Sequence, residues 1–133
     1  MKTYFDRKKS LQELEDDDWG DAHETALVER CHQLRRKPLQ DFTVGDLRVM
    51  IGQDISLYFL VPLALEQLEN DSLLEASFYP GDLLGALLRA KPGFWRERPD
   101  LRREVERILS LAEPLPEEVS EALVEFNQVG EGR

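Results

Sequence analysis

One cysteine in 133 residues, Cys31, leaves no partner for an internal disulfide and suits a reducing compartment. Histidine is almost as scarce, with only His23 and His32. No Gly-rich phosphate loop, nucleophile elbow or CxxC pair is present. Cys31 and His32 are neighbours, but successive residues of a helix point about 100° apart and form a poor thiol–imidazole couple. His23, Cys31 and His32 lack a second ligand pair at metal-binding spacing, so neither a metal nor a cofactor is expected. Basic residues are few, 17 against 27 acidic ones, for a formal charge of −10 and a pI near 4.7. Such a surface repels phosphate backbones, which argues against nucleic acid as a partner. The longest apolar run, Ile55 to Leu68, is too short for a bilayer and holds Pro62, so no membrane partner is expected. The opening MKTYFDRKKS has no apolar h-region, which makes a cytoplasmic protein the expectation. Long alternating runs, fixed-period repeats and low-complexity segments are also missing, which leaves no basis for a sheet or a repeat array.

What is present is a core. Hydrophobic residues make up 41% and charged ones 33%, the balance of a folded soluble chain of one domain, residues 1–133. The ends, 1–9 and 128–133, are expected to be loosely ordered, although Tyr4 and Phe5 are apolar enough to dock. The stretch from Phe42 to Leu68 organises the rest. Thr43 with Asp46 three residues later gives a weak capping box, and Phe42 and Leu47 stand at the positions of a hydrophobic staple. Leu47, Met50 and Ile51 share one face, and Gly52 is a stop. Ile55 to Leu68 is apolar almost all round, so other elements must cover it on every side. This is a central buried helix, with Pro62 either kinking it or dividing it in two.

The remaining segments are helical by the same signals. Ser10 and Glu13 form a capping box that opens a short helix with Leu11 and Leu14 on one side. Leu27, Val28, Cys31 and Leu34 make a stripe between about His23 and Lys37, whose basic end (Arg30, Arg35, Arg36, Lys37) suits a helix C-terminus and intramolecular pairing. Pro38 ends it. Tyr79-Pro80-Gly81-Asp82 is expected to start a helix with Pro80 in its first position, and Gly85 and Ala86 to let a neighbouring helix approach. Phe94 and Trp95 read as core anchors in a connector. Leu101, Val105, Ile108, Leu109 and Ala112 form the inner face of the next helix, with Arg102, Arg103, Glu106 and Arg107 outside. Val119, Ala122, Leu123 and Phe126 form that of the last. The expected fold is all-α, a compact single-domain bundle of about seven short helices around a buried central helix.

Two acidic groups are candidate contact surfaces. Glu15, Asp16, Asp17 and Asp18 precede Trp19-Gly20, and are either a solvated loop or a negative patch facing a basic partner, with Trp19 read as a core anchor. Glu117, Glu118, Glu121 and Glu125 lie on the last helix, and are either its solvated side or a second acidic surface. Plentiful outward carboxylates do not make a catalytic pair, and no enzyme is visible.

The blocks KKSLQELEDDDWG (8–20), CHQLRRKPLQDFTVGDLRVMIGQ (31–53), FLVPLALEQLE (59–69) and FYPGDLLGALL (78–88), followed by Phe94-Trp95, occur in that order over residues 8 to 112. As an ordered set they resemble the immunity proteins of bacterial contact-dependent growth inhibition systems. The resemblance implies a small cytoplasmic protein made beside a large exported toxin. Such a protein binds the toxin's C-terminal domain, often a nuclease, and neutralises it. A nuclease presents positive charge to its substrate, which the acidic balance here complements. The resemblance names no binding residues and leaves oligomeric state open. The alternative from another class is a non-enzymatic helical adaptor or regulatory interaction module.

Overall fold

Leucine and its apolar relatives recur at helical spacing through most of the chain, and the structure is helical at nearly every such place. The computed structural model describes residues 5–20 and 25–131, with side chains through residue 128 of the last helix. Among these residues there are eight α-helices, a 3-10 turn at Leu39–Asp41 and no strand. The helices are α1 (Leu11–Glu15), α2 (Ala26–Arg35), α3 (Val44–Gly52), α4 (Leu57–Asn70), α5 (Asp82–Leu88), α6 (Pro92–Glu97), α7 (Pro99–Leu111) and α8 (Glu117–Glu131).

Helix α4 is the buried centre. Leu60, Val61, Ala64, Leu65 and Leu68 are all closed off from solvent by α3, α5 and α7. Each such leucine contributes about 1.5–3 kcal/mol through burial. Pro62 lies inside this single helix rather than between two. Its missing N–H gives up only the bond to the Tyr58 carbonyl, one turn back and near the exposed helix start. Helix α5 packs between α3 and α8, α6 touches α7 and α8, α2 packs on α3, and α1 packs on α2.

Local signals set most boundaries. Ser10 and Thr43 each close a reciprocal capping box, with Glu13 and Asp46 respectively. Phe42 and Leu47 line one small recess together. The lead-in is tied down from Phe5: its ring meets Phe59 edge-on at 5.1 Å, and Arg7 pairs with Glu66 of α4. Tyr4 lies outside the described residues.

Several expectations need correction. Helix α5 starts one residue after Gly81, so Pro80 stands outside it. Gly81 has φ +87°, which an L side chain resists, and a Cβ there would come within 2.8 Å of Val119 Cγ2. The glycine that admits a neighbouring helix is therefore Gly81. A Cβ on Gly85 would make only an ordinary contact with the Tyr79 hydroxyl. Phe94 and Trp95 are buried as expected, but within a helix, α6, which begins at Pro92 and brings the count to eight. Leu27 is exposed on α2, whose inward side is carried by Cys31, Leu34 and Arg35. Arg102 turns inward, its guanidinium 4.0 Å from the Phe126 ring centroid and donating to the Phe126 carbonyl.

Candidate functional site

The first acidic group folds onto the basic end of α2. Helix α1 ends because Asp16 adopts a left-handed conformation (φ 51°), and Gly20 takes a second such turn (φ 78°). Between them the chain crosses Arg35, which is only 2% exposed. Arg35 pairs with Glu15, donates through Nη2 to the Asp17 carbonyl at 2.6 Å, and lies under the Trp19 indole. The hydroxyl of Ser56, at the start of α4, donates to Glu15 at 3.0 Å. Trp19 donates through Nε1 to the Asp17 carboxylate, and Asp18 accepts the Gly20 N–H at 2.8 Å and stands 3.8 Å from Arg36. The structure therefore brings Glu15, Asp17 and Asp18 together as parts of one strap, with the Asp16, Asp17 and Asp18 side chains at the surface. Trp19 is 40% exposed and covers Arg35 and His32 instead of entering the core. A cationic side chain already fills the space beneath the ring, and the indole serves as its face-on partner.

The basic end of α2 is spent internally, as its position beside carboxylates suggests. Arg30 and Lys37 both reach Asp46 of α3, at 3.3 and 2.7 Å, while Arg35 and Arg36 take Glu15 and Asp18. Burial pushes the Asp46 carboxyl up, but hydrogen bonds from Lys37, the Thr43 N–H and Arg30 outweigh it and hold the group below the usual carboxylate range.

The second acidic group presents differently. Glu117, Glu121 and Glu125 recur every four residues along α8, with Glu118 alongside, and all four are exposed. Helix α8 contains no lysine or arginine. Carboxylates four residues apart repel by about 0.2–0.5 kcal/mol per pair, and no i,i+4 cation relieves them. Only Glu125 has an ion-pair partner among the described residues, Arg89 at 3.6 Å. The two acidic groups belong to different layers, one where α1 packs on α2, the other on α8 against α5 and α6.

An open cleft of about 390 Å³ lies beside Glu125, over Leu88, Ala90 and Pro92 and rimmed by Arg89, Arg96 and Gln128. Its lining holds no serine, threonine, cysteine or histidine to act as nucleophile or imidazole base. Among the described residues no group of His, Cys, Asp and Glu is placed to hold a metal ion. His23 lies outside them, His32 accepts burial beside the Gly20 carbonyl at 3.0 Å, and burial pushes the Cys31 thiol up against a smaller opposite pull from Arg30. No helix among the described residues is long and apolar enough to cross a membrane.

A surface feature that periodicity does not reveal is Phe78, 72% exposed on the loop between α4 and α5. Its only sequence signal is an aromatic next to Tyr79-Pro80-Gly81, which equally describes a buried turn.

The family model of the CDI immunity proteins matches residues 13–105, from the first acidic group through the middle of α7. The chain belongs to the CDI immunity protein family. No curated protein and no solved structure matches it. Membership as a CDI immunity protein implies a protein partner, the cognate toxin, and a role in contact-dependent growth inhibition. The strap and its Arg35 lock lie inside the matched region, whereas the whole of α8, with its four acidic candidates, lies beyond it.

Proposed function

We propose that this immunity protein acts without catalysis, in the cytoplasm, by binding the C-terminal domain of its cognate exported toxin, a basic nuclease domain, and obstructing the path of its substrate. The observation that carries the reading is the outward ridge of Glu117, Glu118, Glu121 and Glu125, which no cation within α8 offsets. Glu117 and Glu118 suit the first turn of α8, but the repeat runs on through Glu121 and Glu125. There the helix dipole no longer favours it, and like charges in register cost a little stability. A basic partner converts that loss into faster encounter and correct orientation. A surface that chooses one toxin over another is also free to differ within a family, and these four residues lie outside the matched region. Asp16, Asp17 and Asp18 form the second negative surface of the proposal, presented by the strap. Their carboxylates reach solvent while the backbone between them is held by Arg35.

The test is growth of bacteria in which the C-terminal domain of the neighbouring exported protein is induced with and without this chain. Rescue by this chain, and no rescue by a family member from another locus, is the expected outcome. Equal killing in both cases would remove the immunity reading for that toxin and favour a helical adaptor.

A further inference from the structure

We propose that Phe78 is the apolar anchor of the toxin interface, inserting from a preformed loop into an apolar recess on the basic face of the toxin domain. This rests on the proposed function above and adds to it the place and chemistry of contact.

The loop is built by a buried carboxylate. Asp82, 3% exposed, accepts the backbone N–H groups of Ala76, Ser77 and Phe78 at 2.6, 2.8 and 2.9 Å. Arg48 of α3 supports the same point, donating to the Ser77 hydroxyl at 3.0 Å and standing 3.9 Å from Asp82. At the loop's end the Gly81 N–H donates to the Leu73 carbonyl at 2.9 Å. Leu73, Leu74 and Ala76 pack against the core. Phe78 alone of the loop's large apolar side chains points outward, with the Arg48 guanidinium 4.5 Å from its ring centroid.

The fold does not need that ring. The hydrogen bonds that shape the loop come from the backbone, Asp82, Ser77 and Arg48 and none from the ring, whose solvent-exposed stacking on Arg48 adds little to the free protein. A single exposed apolar side chain is ordinary on any surface. An aromatic held on a loop fixed by three charge-assisted bonds is different, because it meets a partner with little ordering left to do. Aromatic and arginine side chains are the types enriched at interface cores, and both are present here as a stacked pair.

Charge identifies the occupant. The base of the loop packs on the start of α8, where a Cβ at Gly81 would touch Val119 and Pro116. Glu117 and Glu118 belong to that same first turn of α8 and are exposed, and Glu75 is exposed on the loop itself. The Arg48 charge under the ring is offset by Asp82. With Glu75 exposed on the loop and Glu117 and Glu118 on the adjoining turn, the neighbourhood of Phe78 fits a cationic surface with an apolar recess. A second copy of this acidic chain would bring like charges together.

The experiment titrates the full chain, Phe78→Ala and Phe78→Leu against the isolated toxin domain by calorimetry, alongside thermal unfolding and sedimentation of each. Removing the ring should weaken binding about 30-fold or more, the scale of a hot-spot residue, with unfolding unchanged and Phe78→Leu falling between. Hydrogen exchange on the unaltered complex gives a measurement independent of any variant, and amides 75–79 should slow when the toxin domain is bound. Unchanged affinity in Phe78→Ala, unchanged exchange at 75–79, or a wild-type dimer that Phe78→Ala dissociates would each overturn the anchor. The first two leave the immunity reading standing if wild type binds. Failure of the wild-type chain to bind removes both.

Discussion

The Trp19 indole covers the Arg35 guanidinium, with 4.2 Å between the ring centroid and Cζ. The contact fastens the acidic strap to α2 at a side chain that is otherwise enclosed. Carboxylates at the C-terminal end of α1 oppose the helix dipole. The Arg35 charge offsets that penalty at Glu15, and its second arm holds the Asp17 carbonyl. The run is thus negative at its surface and pinned beneath.

Arg35→Ala should therefore destabilise the whole chain, by about 2–3 kcal/mol, since it strips Glu15, the Asp17 carbonyl and Trp19 of a shared partner. Arg35→Lys should recover little of this, because an ammonium supplies neither the two-armed geometry nor the flat stacking surface. Urea unfolding of the three chains checks both. A lysine variant as stable as wild type would show that charge alone holds the strap.

Much of this fold is legible in the sequence because its signals are local. The capping boxes at Ser10 and Thr43 need only residues three apart, and the apolar ring of Leu57–Asn70 can sit only at a centre. What was not legible depends on neighbours distant in sequence. Arg102 turns inward because Phe126, 24 residues later, offers its ring and carbonyl. Trp19 stays half outside because Arg35 occupies the site below. Both acidic candidates could be picked out by charge, but their difference could not, since only the structure places Arg35 and Arg36 against the first. Phe78 has no periodic signal at all.

Asp46 links α3 to the basic end of α2, and its pKa lies below the ordinary value because hydrogen bonds from Lys37, Thr43 and Arg30 outweigh burial. A carboxylate depressed in the folded state stabilises the protein above its unfolded pKa, about 3.9, and loses that contribution as pH falls through the folded one. The urea midpoint of wild type should exceed that of Asp46→Asn most at about pH 7, and the two should converge toward about pH 2. A gap independent of pH would mean that Asp46 acts through shape rather than charge.

Gly81→Ala places a methyl group 2.8 Å from Val119 Cγ2 at a φ of +87°. Backbone strain and overpacking together predict a loss of about 2–3 kcal/mol, or roughly 10 °C in Tm. Combining it with Val119→Ala should relieve the clash, so the double variant should lose less than the sum of the two single losses. Strict additivity would assign the whole effect to φ.

Cys31 is buried, and burial raises its thiol pKa despite the nearby Arg30 charge. The native chain should react with iodoacetamide at neutral pH far more slowly than the urea-unfolded chain, because both access and thiolate fraction are low. Rapid, complete alkylation of the native protein would show that α2 opens readily from α3.

The ridge on α8 allows steering to be separated from folding. Glu117, Glu118 and Glu121 are exposed and form no ion pair among the described residues. Converting them together to lysine should therefore lower Tm only by several degrees, mainly because Glu117 and Glu118 leave the first turn of α8. If the ridge steers a basic toxin domain, the same change should slow association about tenfold or more at low ionic strength. That deficit should shrink as salt screens it. Dissociation should change less, because charges at the edge of a contact act mainly before docking. Stopped-flow association at about 20 and 300 mM salt measures both. An association rate indifferent to the reversal at low salt would place the toxin elsewhere on the surface, with the strap at Asp16, Asp17 and Asp18 as the remaining acidic candidate.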